Sequence, residues 1–224
     1  MSGRKIKSVQ VYALLFPMKK AFHIAKGMVG NPNLGAPHVY VSLTDEEGRI
    51  GWGEARPSPK WSDETQESIF FSIKNYFKPI LIGEEPINIK KIYEKMDREI
   101  APRLGYGQPM AKAAVEMALL DLIGKQTELP VSTMLFIPSP AAISLTYLIS
   151  SRNPEEVSQE IMKAKEAGFK GIDLKIGFDV KKDLELVEAA SSYGKEFFFS
   201  CRCKSRIYLN RSEENGKRVR PFSC

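Results

Sequence analysis

A chain of 224 residues has room for one large domain or two small ones. It is 43% hydrophobic and 27% charged, with no apolar run near the ~18 residues of a membrane span and no apolar leader, so a soluble protein in the cytoplasm is expected. The net charge of +6 hints at nucleic acid, but residues 201–224 hold seven of the 33 basic and only two of the 27 acidic residues, leaving 26 basic against 25 acidic in the body.

In chain order, Val9 to Phe16 is a β-branched and aromatic run that stops at Pro17, as a strand does. Lys19 to Ile24 is expected to pair with it as a hairpin, and the glycines and prolines of Gly27 to Pro37 predict a flexible loop. Val39-Tyr40-Val41-Ser42-Leu43 alternates, Asp45-Glu46-Glu47-Gly48 turns, and Arg49 to Ala55 makes a further strand of an antiparallel meander. A loop, Arg56-Pro57-Ser58-Pro59-Lys60-Trp61, leads into helices.

Ser62 or Asp63 is the expected cap of the first helix, whose apolar residues Ile69, Phe70, Ile73 and Phe77 recur at three and four. Asn88 is the expected cap of the second, with Ile89, Ile92, Tyr93 and Met96 on one face. The third carries a continuous stripe, Ala111, Ala114, Val115, Ala118, Leu119, Leu122 and Ile123, and is expected to stop near Gly124. Such a stripe is core.

From Ala142 the pattern alternates strand and helix: Ile143 to Ile149, a helix opened by Asn153-Pro154-Glu155-Glu156 with Val157, Ile161 and Ala164 inward, Ile172 to Ile176, a helix over Asp179 to Ala190, and Glu196 to Ser200. That rhythm predicts parallel strands with right-handed crossovers. Three such strands cannot close a barrel. Within it, Gly168-Phe169-Lys170-Gly171-Ile172-Asp173-Leu174-Lys175-Ile176-Gly177 reads as a helix stop, a short strand and a glycine turn, with Lys175 near the strand's C-terminal end, where parallel α/β enzymes place their chemistry.

Three stretches together resemble the enolase superfamily, in its mandelate racemase and muconate lactonizing enzyme branch. Gly48-Arg49-Ile50-Gly51-Trp52-Gly53-Glu54-Ala55 is similar to the family's G-x-x-G-x-G-E strand. Ala114 through Asp121 to Gly124-Lys125, followed by Leu129-Pro130-Val131, is similar to its A-x-x-x-A-L-x-D-x-x-G-K … L-P-V helix. Gly168 to Gly177 is similar to its second barrel strand, usually K-x-K. The resemblance implies an α+β cap domain (antiparallel meander plus helices) over residues 1–138, then the first part of a (β/α) TIM-like barrel, incomplete, over 139–200 with about three strands and two helices.

It also implies an isomerase or lyase: Mg²⁺ held by three carboxylates on later strands, a substrate carboxylate bound to it, and a base that removes the α-proton. Lys175 matches that base, the second lysine of K-x-K, whereas Asp173 stands where the first lysine is usual. At i and i+2 the two share a sheet face, and a carboxylate there works against two-base racemase chemistry. By the same resemblance His23, on the loop reaching to Pro37, Trp61, on the loop after Glu54, and Asp173 are candidate substrate contacts, and Glu54 and Asp121 are structural. No residue of this chain matches a metal carboxylate. A small-molecule carboxylate substrate and a homo-oligomer are the partners the resemblance implies for a full-length enzyme.

Residues 201–224 break with this pattern: they hold all three cysteines, and Cys201-x-Cys203 without a nearby histidine is a poor zinc motif. Where the resemblance implies Val-Asp-Ala-Asn, the chain has Cys201-Arg202-Cys203-Lys204. Codons TGT AGA TGC AAA TCA AGG ATT TAT for Cys201 to Tyr208 read Val-Asp-Ala-Asn-Gln-Gly-Phe once the first base is dropped. The tail is therefore expected to be out of frame or disordered, the barrel truncated and the chain inactive. Two other readings compete: a non-catalytic cap module that binds through a sheet edge, and a basic tail that contacts nucleic acid.

Overall fold

A computed structural model describes residues 4–19, 21–24, 27–30, 32–33, 35–60, 62–102, 105–135, 142–177, 179–193 and 197–203, and at 23, 24, 199, 202 and 203 the backbone only. The chain divides into two compact units, Met1–Ala21 with Val29–Ala141, and Phe22–Met28 with Ala142–Cys224.

In the first unit, β1 (Ile6–Phe16), β4 (Ala36–Asp45) and β5 (Ile50–Ala55) form an antiparallel sheet in the order β1-β4-β5. Val9 lies opposite Leu43 and Val41 opposite Gly53, so alternate residues of each strand turn one apolar face inward. The hairpin expected between β1 and Lys19–Ile24 does not form. Instead β2 (Phe22–Ile24) pairs with β3 (Gly27–Gly30), which occupies part of the segment read as a loop. β4 takes the place beside β1 because its longer apolar alternation, from Ala36 to Asp45, buries more surface there.

The inward face packs on helices. α1 (Gln66–Phe71) is capped by Thr65, not by Ser62 or Asp63: its side chain accepts from Ser68 N–H and Ser68 Oγ returns the bond to Thr65 N–H. A π-helical turn, Ser72–Phe77, joins α1 to α2 (Lys78–Leu81). Ile69, Ile73 and Phe77 stand four residues apart, a spacing that drifts round an α-helix, and the wider turn keeps all three buried. α3 (Ile89–Glu99) starts after Asn88, whose carbonyl rather than side chain makes the first bond, to Ile92 N–H.

α4 (Pro109–Thr127) buries the whole predicted stripe. It runs past Gly124 to Glu128, which takes the left-handed conformation at φ 57°. Gly124 is not the stop; its carbonyl accepts Leu129 N–H as the chain folds back toward α5 (Val131–Leu135).

One buried carboxylate ties the β4–β5 turn. Asp45 accepts from Glu47 N–H at 3.0 Å, Arg49 N–H at 2.9 Å, Arg49 Nε at 2.7 Å and Gln126 Nε2 at 3.0 Å. Burial alone would raise its pKa, but the bonds from Gln126 and Arg49 outweigh that and hold it below the ordinary 3.8. A depressed carboxylate contributes stability that is present above its unfolded value and lost as pH falls through the folded one. Asp45→Asn is therefore expected to cost about 2 kcal/mol at pH 7, and less as pH drops below 4. Urea midpoints across pH 2–7 check this; a cost independent of pH would show that the charge contributes nothing.

The second unit alternates β6 (Thr146–Ile149), α6 (Pro154–Glu166), β7 (Gly171–Ile176), α7 (Val180–Ser191) and β8 (Phe198–Cys203). The strands pair in parallel, β6-β7-β8, as the rhythm predicts. β6 is shorter than read, because Ile143 and Leu145 remain exposed outside the ladder. Ile149, Val157, Ile161, Ala164, Ile172, Leu174 and Leu186 form its core. β8 runs three residues beyond Ser200. The tail from 204 lies outside the described residues.

Candidate functional site

The stretch around Lys175 is held at both ends. α6 ends in Ala167 and Gly168, the latter at φ 80°, and the chain rises into β7. Ile172 and Leu174 go to the core, so Asp173 and Lys175 share the other face. Past the strand, Gly177 at φ 104° turns the chain, and its N–H donates to Asp183 Oδ2 at 2.8 Å. Asp179 then caps α7, accepting from Lys182 N–H at 3.0 Å. Strand end, turn and helix start are thus locked together. The role of Asp183 was not legible in sequence, where it is one acid among several on a helix.

Lys175 Nζ lies 2.9 Å from Asp173 Oδ2, and each residue is only 7% exposed. The contact expected from i and i+2 spacing is made. A buried ammonium needs such a counter-charge, since an isolated one costs several kcal/mol. The pair sets an amine donor, Nζ, against a carboxylate acceptor on one face of β7. Asp173, read as a substrate contact, is first of all the lysine's partner. The backbone of His23 lies in β2, with its side chain outside the described residues, as is Trp61.

In the cap, Glu54 binds His38 Nδ1, and Asp121 Oδ2 accepts Trp52 N–H at 2.8 Å. Lys125 Nζ donates to Asp121 at 2.8 Å and to the carbonyl of Ile50 at 2.6 Å. Asp121 and Lys125 thereby satisfy backbone groups on the free edge of β5, a structural task as read. The loop after Glu54 is pinned where sequence gave no hint. Buried Glu64 accepts from Met110 N–H at 2.6 Å and Ala111 N–H at 3.1 Å, doing for the start of α4 what Gln108, at φ 58°, does not. Burial raises the Glu64 pKa against those two bonds.

The profile of the mandelate racemase / muconate lactonizing enzyme N-terminal domain matches residues 7–135. The chain belongs to this family. It thus stands in the enolase superfamily, as the three motifs indicate. The N-succinyl-L-Arg/Lys racemase of Bacillus cereus is 32% identical over 185 residues, 83% of this chain and 48% of the relative. The chloromuconate cycloisomerase of Cupriavidus pinatubonensis is 31% identical, over 64% of this chain and 39% of its own. A dipeptide epimerase of Enterococcus faecalis, solved with Mg and the dipeptide L-Leu-L-Tyr, superposes at TM-score 0.78 and 28% identity over 89% of this chain and 54% of that one. The chain spans about half the length of the curated relatives it matches. Its fold, a cap followed by an incomplete barrel, is theirs in part.

The Mg²⁺ that the resemblance implies for a full-length enzyme has no ligand set among the described residues. Among the described residues no group of three or more His, Cys, Asp or Glu could hold a metal ion. The one carboxylate on the site face of β7 is engaged by Lys175, and the β8 position in register with Lys175 is Arg202. Nor do the described residues contain a helix long and apolar enough to cross a membrane.

Proposed function

We propose that this chain is the cap and the opening barrel units of a family enzyme that moves the proton α to a substrate carboxylate, with Lys175 as the group that carries the proton. The observation that supports this is the placement of Lys175: buried, at the C-terminal end of a parallel strand, with its turn fixed by Gly177 and Asp183. Racemases, epimerases and a cycloisomerase among the relatives support the reaction class. The substrate is a small carboxylate, an N-acylated amino acid or a dipeptide by analogy with those relatives, and His23 and Trp61 are its proposed cap-side contacts. Mg²⁺ is the cofactor proposed for the full-length enzyme, by analogy with a relative solved with Mg. Asp173 is bonded to Lys175 at 2.9 Å, so a substrate that reaches the lysine meets that carboxylate beside it.

The test is α-proton exchange in D₂O, followed by NMR, with N-succinyl-arginine and with L-Leu-L-Tyr in the presence of Mg²⁺. The 224-residue chain is expected to leave the proton in place. A version extended to the relatives' full length is expected to exchange it, and Lys175→Ala in that version to slow exchange by about 10²–10⁴-fold. Exchange indifferent to Lys175→Ala removes the lysine from the mechanism.

A further inference from the structure

β8 stays in parallel register with β7 to its last residue: Leu174 stands beside Cys201, Lys175 beside Arg202 and Ile176 beside Cys203. Alternation puts position 201 with the core, where Cys201 packs, and position 202 at the register place of Lys175, on the face that carries the Asp173–Lys175 pair. A βα unit built like the two before it would place an apolar residue at 201, a functional or charge-balancing one at 202, and a capped amphipathic helix soon after. Instead position 202 is an arginine. From 201 onward the chain holds its three cysteines and seven basic residues against two acids, with no helical apolar period.

We infer that the codons from Cys201 onward are read one base out of the frame that shaped residues 1–200, and that this shift put an arginine at the register position of Lys175 in place of a carboxylate. The genetic code permits it. Dropping one base gives valine on the core side at 201, aspartate at 202 and alanine at 203, then Asn-Gln-Gly-Phe. Synonymous codons for Leu209 to Ser223 continue as Ile-Ser-Thr-Glu-Ala-Lys-Lys-Met-Ala-Lys-Glu-Leu-Asp-Arg-Phe-Pro. That segment carries a Ser/Thr cap and apolar residues at helical spacing, the next βα unit in the series. Strand alternation and the rhythm of the unit are restored by a single event.

This inference rests on the βα rhythm and the family match, not on the catalytic role of Lys175, so the exchange assay and the present test fail separately. The test is to sequence the locus and its transcript across the codons for Ser200 to Cys224. The expected result is that reading from the second base of codon 201 encodes an acidic residue at position 202 and stays open beyond the codon for Cys224. A stop codon in that frame before codon 224, or any non-acidic residue at 202, overturns it.

Discussion

Replacing Gly53 with alanine is expected to remove about 3 kcal/mol from the stability of the first unit, the top of the typical range for overpacking, because no neighbour can give way. A Cβ there would sit 1.9 Å from the carbonyl oxygen of Ala114 and 2.8 Å from Ala118 N, both helix backbone rather than flexible side chain. Gly51 is in the same position, 2.2 Å from the Ala118 carbonyl oxygen and 2.6 Å from Leu122 Cβ. Strand β5 therefore touches α4 backbone to backbone, and any side chain at 51 or 53 lifts the helix off the sheet. The helix carries the buried stripe from Ala111 to Ile123, so lifting it opens the core. Both tryptophans, Trp52 and Trp61, belong to this unit, so a urea titration followed by fluorescence reads its unfolding. Gly105→Ala, with no atom within 4 Å of the added Cβ, is the control and is expected to be near neutral. A Gly53→Ala cost below about 1 kcal/mol, comparable with the control, would mean that the packing is looser than these distances.

That interface also shows how far the sequence carries. The glycine-rich strand and the Ala-Leu-x-Asp helix look like two separate signatures in the chain, yet they are the two sides of one contact. Gly51 and Gly53 let the helix in, Ala114 and Ala118 keep its near side small, and Asp121 and Lys125 bond the strand's free edge. The stripe of α4, the meander and the parallel βαβ rhythm were legible because each follows one period. β2 and β3 were not: a strand of three residues and one of four carry no period, and the glycines there signal turns. The cap at Thr65 was hidden by other good capping residues just before it, Ser62 and Asp63. Glu64 and Asp183 were hidden for a different reason, since each bonds a backbone N–H whose position only the fold supplies. Of the site, the Asp173–Lys175 contact followed from spacing alone, whereas the neighbour of Lys175 on β8 needed the register.

Removing both partners of that contact is expected to cost less than the two single removals added together. Lys175→Met leaves the Asp173 carboxylate buried against an apolar side chain, and about 3 kcal/mol of the second unit's stability should go with it. Asp173→Asn leaves an ammonium in the same place with a weaker partner, at a cost of about 2 kcal/mol. The double variant removes both charges. Its side chains are close in volume to the originals, so it is expected to lose less than the sum, with a coupling of about 2 kcal/mol. The second unit has no tryptophan, so hydrogen exchange at the β7 amides, not fluorescence, reads the cycle. Additive losses would show that Lys175 and Asp173 are held independently, by the strand ends rather than by each other. Coupling of the expected size would mean that each side chain holds the other in place, so that any anion reaching Lys175 competes with Asp173 for it.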